Sequence, residues 1–509
     1  MSGPPPAGNF QLKHGIRLIQ TPGGGILIQS NPLRALKINR AALDLLEKCR
    51  SGLQVSRGLK SAGSGTLAFL DTFVQAGILD WVPPDPQLLP TVSIVIPVYN
   101  RPQEIRECLT SLQSLDYPAD RIEVIVVDDA SQDHTTSVVR QFNARMITQP
   151  INQGQSAARN KGVAAAKGEI VAFLDSDCIA DPRWLRELVP YFQDPRVALV
   201  GGYVDAYYRE KRMDRYEQVC SALNMGSQPV MGRGNTNVFY VPTCNMLVRK
   251  AAYTQTGGLD ERLRLGEDVD LCWRLMAAGH HLLYQPKGIV LHKHRNHLWS
   301  GLRRRFDYGT SEAVLYARFP KIKKHFPWQP GGLAMILAGV AALVTHSWFW
   351  LMLLTGLPVL ETGCKKMQLR RKLGICMPVI EILIAVLKSH FQLIYYLAFY
   401  LVRYHLLPLV ALAVVYPDMR WLCLAVLLCP VLVTYLKKRP KLSFPVFGFF
   451  YLAEHAFYQW GAFLGCIRQK SFRLYGLSFR YAGFLHRPKG SAKGRSVVVN
   501  QPSKGAVGG

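Results

Sequence analysis

The most constraining feature of this sequence is a repeated pattern between Thr91 and about Asp307, in which continuous apolar segments alternate with helical ones. The apolar segments Val92–Pro97, Ile122–Val127 and Ile170–Leu174 are short and rich in β-branched residues, so we predict strands buried on both faces. Their alternation with helices predicts an α/β fold around a parallel sheet. Ligands bind such sheets beyond the carboxyl ends of the strands.

Polar side chains follow each of these strands. Asp175-Ser176-Asp177 comes directly after Ile170–Leu174. In an extended segment the two carboxylates point to the same side, which makes a paired oxygen site for a hard cation. A solvated turn has the same pattern, so the pair needs support from its surroundings.

The second strand ends in Asp128 and Asp129, and Ser131 and Asp133 follow in a turn. Carboxylates at this position can accept hydrogen bonds from a ribose hydroxyl or a base N–H. The alternative is that they cap the helix predicted to begin near Thr135, and we expect one of the four to do so.

A loop of small residues, Asn152–Gly162, precedes the third strand and continues into a helix. Its backbone can approach a ligand closely, and Arg159 and Lys161 offer positive charge to a diphosphate.

The segment Gly266-Glu267-Asp268 precedes a helix predicted over Leu271–Ala278, and Val241–Val248, which contains Cys244-Asn245, is predicted as a strand. An acid before a helix is stabilised by the helix dipole, so Glu267 or Asp268 is either a cap or a general base for a sugar hydroxyl.

Two further features of the sequence are a histidine that could bind a metal and a cluster of three arginines. Ile289–His294 is predicted as a strand that ends in histidine, and His292 could complete a metal shell beside Asp177, although hard divalent ions prefer oxygen. Arg303-Arg304-Arg305 would either neutralise a leaving diphosphate or meet lipid headgroups.

In order and spacing, Val92–Asn100, Val127–Ser131, Asn152–Gly162, Asp175–Asp177 and Gly266–Asp268 resemble a family 2 glycosyltransferase of the GT-A fold, a Rossmann-like nucleotide-sugar-binding core. The resemblance implies a nucleotide-sugar donor, usually a UDP-sugar, a Mg²⁺ or Mn²⁺ cofactor, and inversion of the anomeric centre by direct displacement. The Gln-x-x-Arg-Trp motif of processive synthases is absent, so extrusion of a long polymer is not expected.

Carried over onto matching positions, the resemblance implies that Asp268 is the base, that Asp177 binds the metal with Asp175 nearby, and that His292 is a further ligand. Asp129 would hold the nucleobase or ribose. The donor-binding residues implied are Pro97, Tyr99, Asp129, Asn152, Gly154, Arg159 and Asp175.

The N-terminal region, residues 15–85, is predicted as a separate α+β unit that follows a disordered segment, residues 1–14. Ile16–Gln20 and Ile26–Gln29 are predicted as a hairpin, with a third strand at Ala35–Ile38 and two helices after it. The unit resembles the winged-helix recognition domain of enzymes that modify ribosomal peptides, in which a peptide adds a strand to the sheet edge. A small structural cap is the alternative.

Lys and Arg number 61 against 34 Asp and Glu, a net charge of +27. This surplus suits anionic partners. Long apolar segments lie between basic clusters in the C-terminal third, so we expect a membrane rather than a nucleic acid. The eleven cysteines form no C-x-x-C pair, which favours a reducing compartment, and the N-terminus lacks the apolar region of a secretory signal.

Residues 331–467 are predicted as a helical membrane-associated region, and residues 487–509 as a disordered basic tail. Gly332–Leu360 exceeds the roughly 20 residues that cross a bilayer. The positive-inside rule places both Lys365–Lys372 and Lys437–Lys441 in the cytoplasm, yet a single crossing by Gly332–Leu360 would put the first cluster outside. A re-entrant or interfacial element is the alternative, because Thr345-His346-Ser347 interrupts the segment.

These features predict an inverting glycosyltransferase at the cell membrane, with its catalytic domain, residues 91–325, facing the cytoplasm. Its layout resembles that of family members that transfer glucose to a ribosomal-peptide-derived acceptor. Transfer to a polyprenyl phosphate is the alternative reaction. A non-catalytic nucleotide-sugar-binding scaffold is the alternative class.

Overall fold

A computed structural model describes residues 8–30, 33–55, 64–86, 88–232, 239–295 and 297–480 of the 509-residue chain. The tail predicted over residues 487–509, and residues 1–7 of the predicted disordered segment, lie outside these ranges.

In its described residues, the N-terminal region contains six strands and two helices. They are β1 (Gly8–Leu12), β2 (Ile16–Thr21), β3 (Gly24–Ser30), β4 (Leu33–Ile38), α1 (Arg40–Lys48), β5 (Leu53–Val55), α2 (Ser64–Gln75) and β6 (Leu79–Val82). The predicted hairpin and third strand are confirmed, and they form the antiparallel sheet β2–β3–β4. The two predicted helices are confirmed as α1 and α2. The disorder predicted for residues 1–14 is wrong for β1, which pairs with β5 and β6 and buries Phe10 completely.

This N-terminal unit packs against both other parts of the chain. Trp81 contacts Tyr191 edge-on, with 6.1 Å between ring centroids, and Asp71 pairs with Arg196 at 2.7 Å. On another face, apolar residues of β3 and β4 share a core with the C-terminal helices, namely Ile26, Ile28, Leu33 and Ala35 with Leu369, Ile375, Met377, Ile382 and Val386. The unit is therefore integrated into the molecule on two sides.

The central region is an α/β layer structure. Its strands are β7 (Val92–Val98), β8 (Ile122–Asp128), β9 (Arg145–Thr148), β10 (Ile170–Leu174), β11 (Cys178–Ala180), β12 (Val197–Gly201), β13 (Val204–Ala206), β14 (Val230–Gly232), β15 (Asn245–Arg249), β16 (His281–Tyr284) and β17 (Val290–His292). Its helices are α3 (Pro102–Leu112), α4 (Thr135–Val139), α5 (Gln155–Ala165), α6 (Trp184–Leu188), α7 (Arg212–Cys220), α8 (Lys250–Gln255) and α9 (Glu267–Ala277).

Eight of these strands form one sheet in the order β14-β16-β12-β15-β10-β7-β8-β9. The first three predicted strands are confirmed within one residue, and they pair in parallel. The predicted parallel sheet is confirmed for these strands but not for the whole sheet, which is mixed because β15 runs antiparallel between β10 and β12. A continuous buried strand has the same residue pattern in either direction, so the pattern could not reveal this.

A second small sheet has the order β11-β17-β13 and pairs Cys178 with His292. Two predicted bounds also shift. The strand predicted from Val241 begins at Asn245, and the helix predicted from Leu271 begins at Glu267, so Glu267 and Asp268 lie in its first turn.

The C-terminal region is mainly helical. It contains α10 (Leu298–Arg318), β18 (Lys324–Pro327), α11 (Pro330–Thr345), α12 (Trp348–Leu373), α13 (Val379–Val415), α14 (Arg420–Lys438), α15 (Phe444–Arg468) and β19 (Leu477–Arg480). Val379–Val415 and Pro417–Lys438 are long and apolar enough to cross a membrane, a test of length and composition that core helices of soluble proteins also pass.

The segment Gly332–Leu360 does not form one helix. Residue His346 has a φ of 52° and ends α11, and α12 begins two residues later. The two helices pack as an antiparallel hairpin, with Gly331 against Glu361 and Gly339 against Leu354. Gly332–Leu360 is therefore not the one continuous helix that a single crossing would need, and the break predicted at residues 345–347 is confirmed. Because α12 returns, Lys365–Lys372 does not have to lie outside.

Helices α10 and α15 approach each other closely at two glycines. A Cβ atom added to Gly461 would lie 1.9 Å from the Phe306 carbonyl oxygen, and one added to Gly309 would lie 2.1 Å from the Tyr458 carbonyl oxygen. Only glycine permits this distance between the backbones. The contact fastens α10, which reaches the candidate site, to the C-terminal helices.

Candidate active site

A cavity of about 680 Å³ opens at the carboxyl ends of β7, β8 and β10. It brings together most of the site residues predicted from the sequence, namely Pro97, Tyr99, Asp129, Arg159, Asp175, Asp177, Glu267, Asp268, His292, Arg304 and Arg305. The predicted residues Asn152, Gly154 and Arg303 do not line it. The strand ends thus converge as parallel pairing requires.

The loops that follow β7 and β8 are bonded to each other. The Asn100 N–H donates to the Ser131 hydroxyl at 2.9 Å, and the Asn100 side-chain carbonyl accepts from the Gln132 N–H at 2.8 Å. The Asp133 carboxylate accepts from the Thr135 N–H at 2.9 Å, at the start of α4. Asp133 is therefore the one of the four polar residues that bonds the first turn of α4, although the cap position itself is His134, whose side chain makes no capping hydrogen bond.

Asp129 organises the loop in front of α5. Its carboxylate accepts hydrogen bonds from the Gln149 amide at 2.7 Å and from the backbone N–H groups of Gln153 and Gly154 at 2.8 Å each. The Asn152 amide donates to the Asp129 carbonyl oxygen at 3.3 Å. Asn152 and Gly154 are thus tied to the cavity wall through Asp129, although neither residue lines the cavity itself.

Arg159 joins two carboxylates of the cavity. Its buried guanidinium pairs with Asp175 Oδ1 at 2.5 Å and with Glu267 Oε1 at 3.3 Å, and Gln155 also donates to Glu267 Oε1 at 2.7 Å. Burial lowers the pKa of Arg159, but Asp175 and Glu267 more than offset this and the pKa is raised. Arg159 is therefore a charged link between β10 and α9, and its guanidinium is already bonded to protein carboxylates.

Asp177 and His292 lie together where β11 and β17 pair. His292 Nε2 is 3.6 Å from Asp177 Oδ1, and Arg101 also donates to the Asp177 carboxylate. Burial raises the pKa of Asp177, but His292 and Arg101 hold it below its usual value, so the carboxylate is ionised. On its other side, His292 Nδ1 lies 3.1 Å from His294 Nδ1.

The donor set suits a divalent metal ion. Ligand atoms of Asp177, Cys178 and His292 all lie within 4.8 Å of one another. Burial raises the pKa of the Cys178 thiol well above its usual value, which disfavours the thiolate that would bind a metal. The remaining carboxylate oxygen and imidazole nitrogen fit Mn²⁺, whereas Mg²⁺ usually takes oxygen ligands.

Asp268 and Glu267 are adjacent carboxylates with different surroundings. Glu267 is bonded to Arg159 and Gln155, whereas Asp268 faces the cavity and accepts a hydrogen bond from its neighbour, the Val269 N–H, at 2.8 Å. Burial, and then the negative charge of Glu267, raise the pKa of Asp268 to about 7. A carboxylate with this pKa is suited to general-base catalysis near neutral pH.

The three arginines predicted as one cluster point in different directions, because successive residues of a helix are rotated by about 100°. Arg304 lines the cavity, with its guanidinium carbon 5.1 Å from the centre of the Tyr308 ring. Arg305 is buried and pairs with Glu217 at 3.0 Å and with Glu454 at 3.2 Å. Arg303 is exposed outside the cavity. Arg304 and Arg305 thus both line the cavity, whereas Arg303 does not. Because Arg305 is already paired with two carboxylates, Arg304 is the better placed of the two to meet a diphosphate.

Several cavity residues were not among the predicted site residues, notably Arg101, Lys293, Arg295 and Tyr308. Arg101 directly follows the polar end of β7, a signal that was available in the sequence. Lys293 is held by Glu107 at 2.7 Å, 186 positions earlier in the chain, and no local pattern connects the two.

Comparison with known proteins defines the class of this chain. The family described as Glycosyl transferase family 2 matches residues 93–257. Glycosyltransferase AglE of Haloferax volcanii is 35% identical over 214 residues, which cover 41% of this chain and 68% of AglE. The chain therefore belongs to glycosyltransferase family 2.

Within the family it is similar to the pre-mycofactocin glycosyltransferase of Mycobacterium tuberculosis, with 36% identity over 301 residues. The match covers 58% of this chain and 61% of that relative. Among solved structures, the mannosyltransferase of Pyrobaculum calidifontis in complex with GDP-Man and Mn²⁺ aligns over 70% of this chain and 90% of its own, with 19% identity and a TM-score of 0.37.

Proposed function

We propose that the chain is an inverting glycosyltransferase, which transfers a hexose, with glucose the first candidate, from a UDP-sugar to a ribosomal-peptide-derived acceptor such as premycofactocin. Family membership and the name of the relative support the reaction type and the acceptor. The single observation that carries the proposal is Asp268, a carboxylate with a pKa of about 7 in the same cavity as Asp175 and Asp177.

The reaction requires one base and charge stabilisation for the leaving group. Asp268 would take the proton of the acceptor hydroxyl while that oxygen bonds to the anomeric carbon and the bond to the diphosphate breaks. Arg304, which lines the cavity and is not in a described ion pair, would face the departing diphosphate. Displacement in one step by a single base inverts the anomeric centre.

The expected cofactor is Mg²⁺ or Mn²⁺. Asp177 and His292 would hold the ion, with Asp175 beside them on the same cavity wall. When bound, the ion supplies positive charge that stabilises the leaving diphosphate.

The test of the proposed reaction is to incubate the full chain with a panel of nucleotide sugars and peptide-derived acceptors and to read the products by mass. A mass increase of one hexose, obtained only when donor, acceptor and Mn²⁺ or Mg²⁺ are all present, supports the proposal. Donor hydrolysis without transfer to any member of the panel would contradict the acceptor class.

The N-terminal unit supports a peptide acceptor through the edge of its first sheet. In the described residues β2 pairs on one side only, with β3, and Ile19 is exposed on it. We propose that an extended peptide adds there as a further strand. A photoreactive amino acid in place of Ile19 should then cross-link to a peptide acceptor. The same residue in place of Leu88, which is also exposed, should not.

We also propose that the chain lies in the cell membrane with its catalytic domain in the cytoplasm. The basic end of α14 lies against that domain, because Lys438 Nζ donates to the Val219 carbonyl oxygen of α7 at 2.5 Å. Positive charge at that end favours the cytoplasmic side. A cysteine in place of Asp418, in the opposite turn, should react with an impermeant maleimide on intact cells, and one in place of Lys441 should not. The reverse labelling would contradict this orientation.

A further inference from the structure

We infer that a groove between the catalytic domain and the start of α15 binds an anionic phospholipid. The groove has a volume of about 890 Å³ and lies between the N-terminal end of α7, the start of α10 and the first turns of α15. The inference rests on the proposed membrane association but concerns a site separate from the sugar-transfer cavity.

One wall of the groove is cationic. Lys211, Arg212 and Arg215 line it at the start of α7, while Met213 and Tyr216 of the same helix point into the core. None of the three basic side chains forms an ion pair with any carboxylate in the part of the chain that the structure describes. Glu210 lines the groove as well and reduces the local positive charge by one. Two uncompensated charges remain to meet a phosphate group.

The facing wall is apolar and aromatic. Pro445, Val446, Phe449 and Phe450 of α15 line it, and 59% of the Phe449 side chain is exposed. Trp299, which is 73% exposed, follows the groove residue Leu298 on α10. A large aromatic surface beside unpaired basic groups is typical of the depth at which a membrane changes from headgroup to acyl chain.

The position of the groove agrees with that depth. The basic residues Lys437–Lys441 lie at the end of α14 and in the turn before α15, and they close Pro417–Lys438, one of two helices in the described residues that could cross a membrane. Helix α7 packs on α14 and α15 beside this turn, since Tyr216 shares a core with Val431 and Phe447 and Lys438 Nζ donates to the Val219 carbonyl oxygen. The headgroup would contact Lys211, Arg212 and Arg215, and the acyl chains would lie along Phe449.

The test compares lipids retained by the detergent-purified full chain after exposure to equal amounts of phosphatidylglycerol and phosphatidylcholine, measured by native mass spectrometry. The wild-type chain should retain phosphatidylglycerol preferentially. Neutralising the three basic residues (K211Q/R212Q/R215Q) should reduce that retention about tenfold or more, since the charges that attract the phosphate group are removed. A matched control (R106Q/R140Q/R183Q) removes three exposed arginines elsewhere and should retain the lipid.

Four outcomes would overturn the inference: equal retention of both lipids by the wild-type chain, unchanged retention by K211Q/R212Q/R215Q, equal loss in the control variant, or displacement of phosphatidylglycerol by a polyprenyl phosphate at a tenth of its concentration. The melting temperature of each variant shows whether a loss reflects unfolding.

Membrane association is tested separately by cell fractionation. All variants should remain in the membrane fraction through α13 and α14, and a wild-type chain in the soluble fraction would contradict the proposed localisation instead.

Discussion

Two groups of arginine–carboxylate pairs, one around Arg159 of α5 and one around Arg305 of α10, differ in how completely their carboxylates are partnered. In the cavity, Arg159 holds Asp175 and Glu267, but the neighbouring Asp268 is left facing open space. The second group is buried more deeply: Arg305 and Glu217 reach the cavity wall, and Arg305 holds both Glu217 and Glu454. We call these three residues the interior group. The first arrangement leaves Asp268 without an arginine partner, whereas in the interior group each carboxylate pairs with Arg305.

The interior group extends this principle. The Tyr216 hydroxyl donates to Glu454 at 2.8 Å, and nearby Glu312 accepts from Tyr404 at 2.9 Å and lies 3.6 Å from Lys324. Burial of charge is therefore common to both groups and does not identify a reactive site. A carboxylate that lines a cavity without an ion-pair partner does indicate a reactive site, because it can exchange a proton with a bound ligand.

The largest effect is expected at Asp268. Replacement by Asn (D268N) should lower the rate of sugar transfer about a thousandfold, because the amide cannot accept the hydroxyl proton. Donor affinity, measured by isothermal titration calorimetry, should change little. Lost donor affinity with normal turnover would contradict the role of Asp268 as base.

Breaking the interior group should instead affect stability. Replacing Glu454 with Ala leaves Arg305 with one carboxylate partner and should cost about 3 kcal/mol in the free energy of unfolding. Thermal unfolding in detergent measures this, and E454Q, which keeps the hydrogen bond from Tyr216, should lose less. An E454A variant of full stability but no activity would erase the distinction between the two groups.

The next largest effect is expected from a substitution in the proposed metal site. Replacing Asp177 with Ala should lower transfer about a hundredfold and weaken Mn²⁺ binding, because the ionised carboxylate is removed. Cys178→Ala is the matched control, since its thiol lies in the same cluster but burial disfavours the thiolate that would bind a metal. Activity that survives complete chelation would remove the metal from the reaction.

The pH dependence follows from the raised pKa of Asp268. The base acts only when ionised, so kcat/KM should rise with pH through about 7 and then level off. Because the folded state binds this proton more tightly than the unfolded state, Asp268 destabilises the fold as pH rises from about 4 to about 7. D268N should therefore be more stable than the wild-type chain at pH 8, by about 1 kcal/mol or more, and equally stable at pH 3. A flat activity profile across neutral pH would contradict the raised pKa.

The smallest effects separate two adjacent arginines of α10. Arg304→Gln should lower transfer about tenfold by removing a charge-assisted hydrogen bond to the diphosphate. Arg303→Gln removes the same charge outside the cavity and should leave the rate within about twofold. Equal losses in the two variants would show that overall charge, rather than the position of Arg304, matters.

Much of the core could be predicted from the sequence because its signals are local. The strands β7, β8 and β10 are largely apolar segments, and a polar residue closes β8 or follows within two positions of the end of β7 and β10. The break in Gly332–Leu360 was visible as Thr345-His346-Ser347 within an apolar segment. The resemblance to known glycosyltransferases, which depends on spacing between such elements, placed His292 beside Asp177, and the structure puts them 3.6 Å apart.

The sequence by itself determined the period of each element and where each strand ends, since burial of apolar side chains at a period of two or 3.6 residues is a local property. Only the tertiary structure decided that β15 runs antiparallel and that β1 is ordered. It also decided that Arg303, Arg304 and Arg305 lie in three different surroundings. It also selected the partners of Arg305, since Glu217 and Glu454 lie 88 and 149 positions away in the chain. Pairing over such distances depends on which faces the whole fold buries together. The pattern within a single segment therefore cannot predict it.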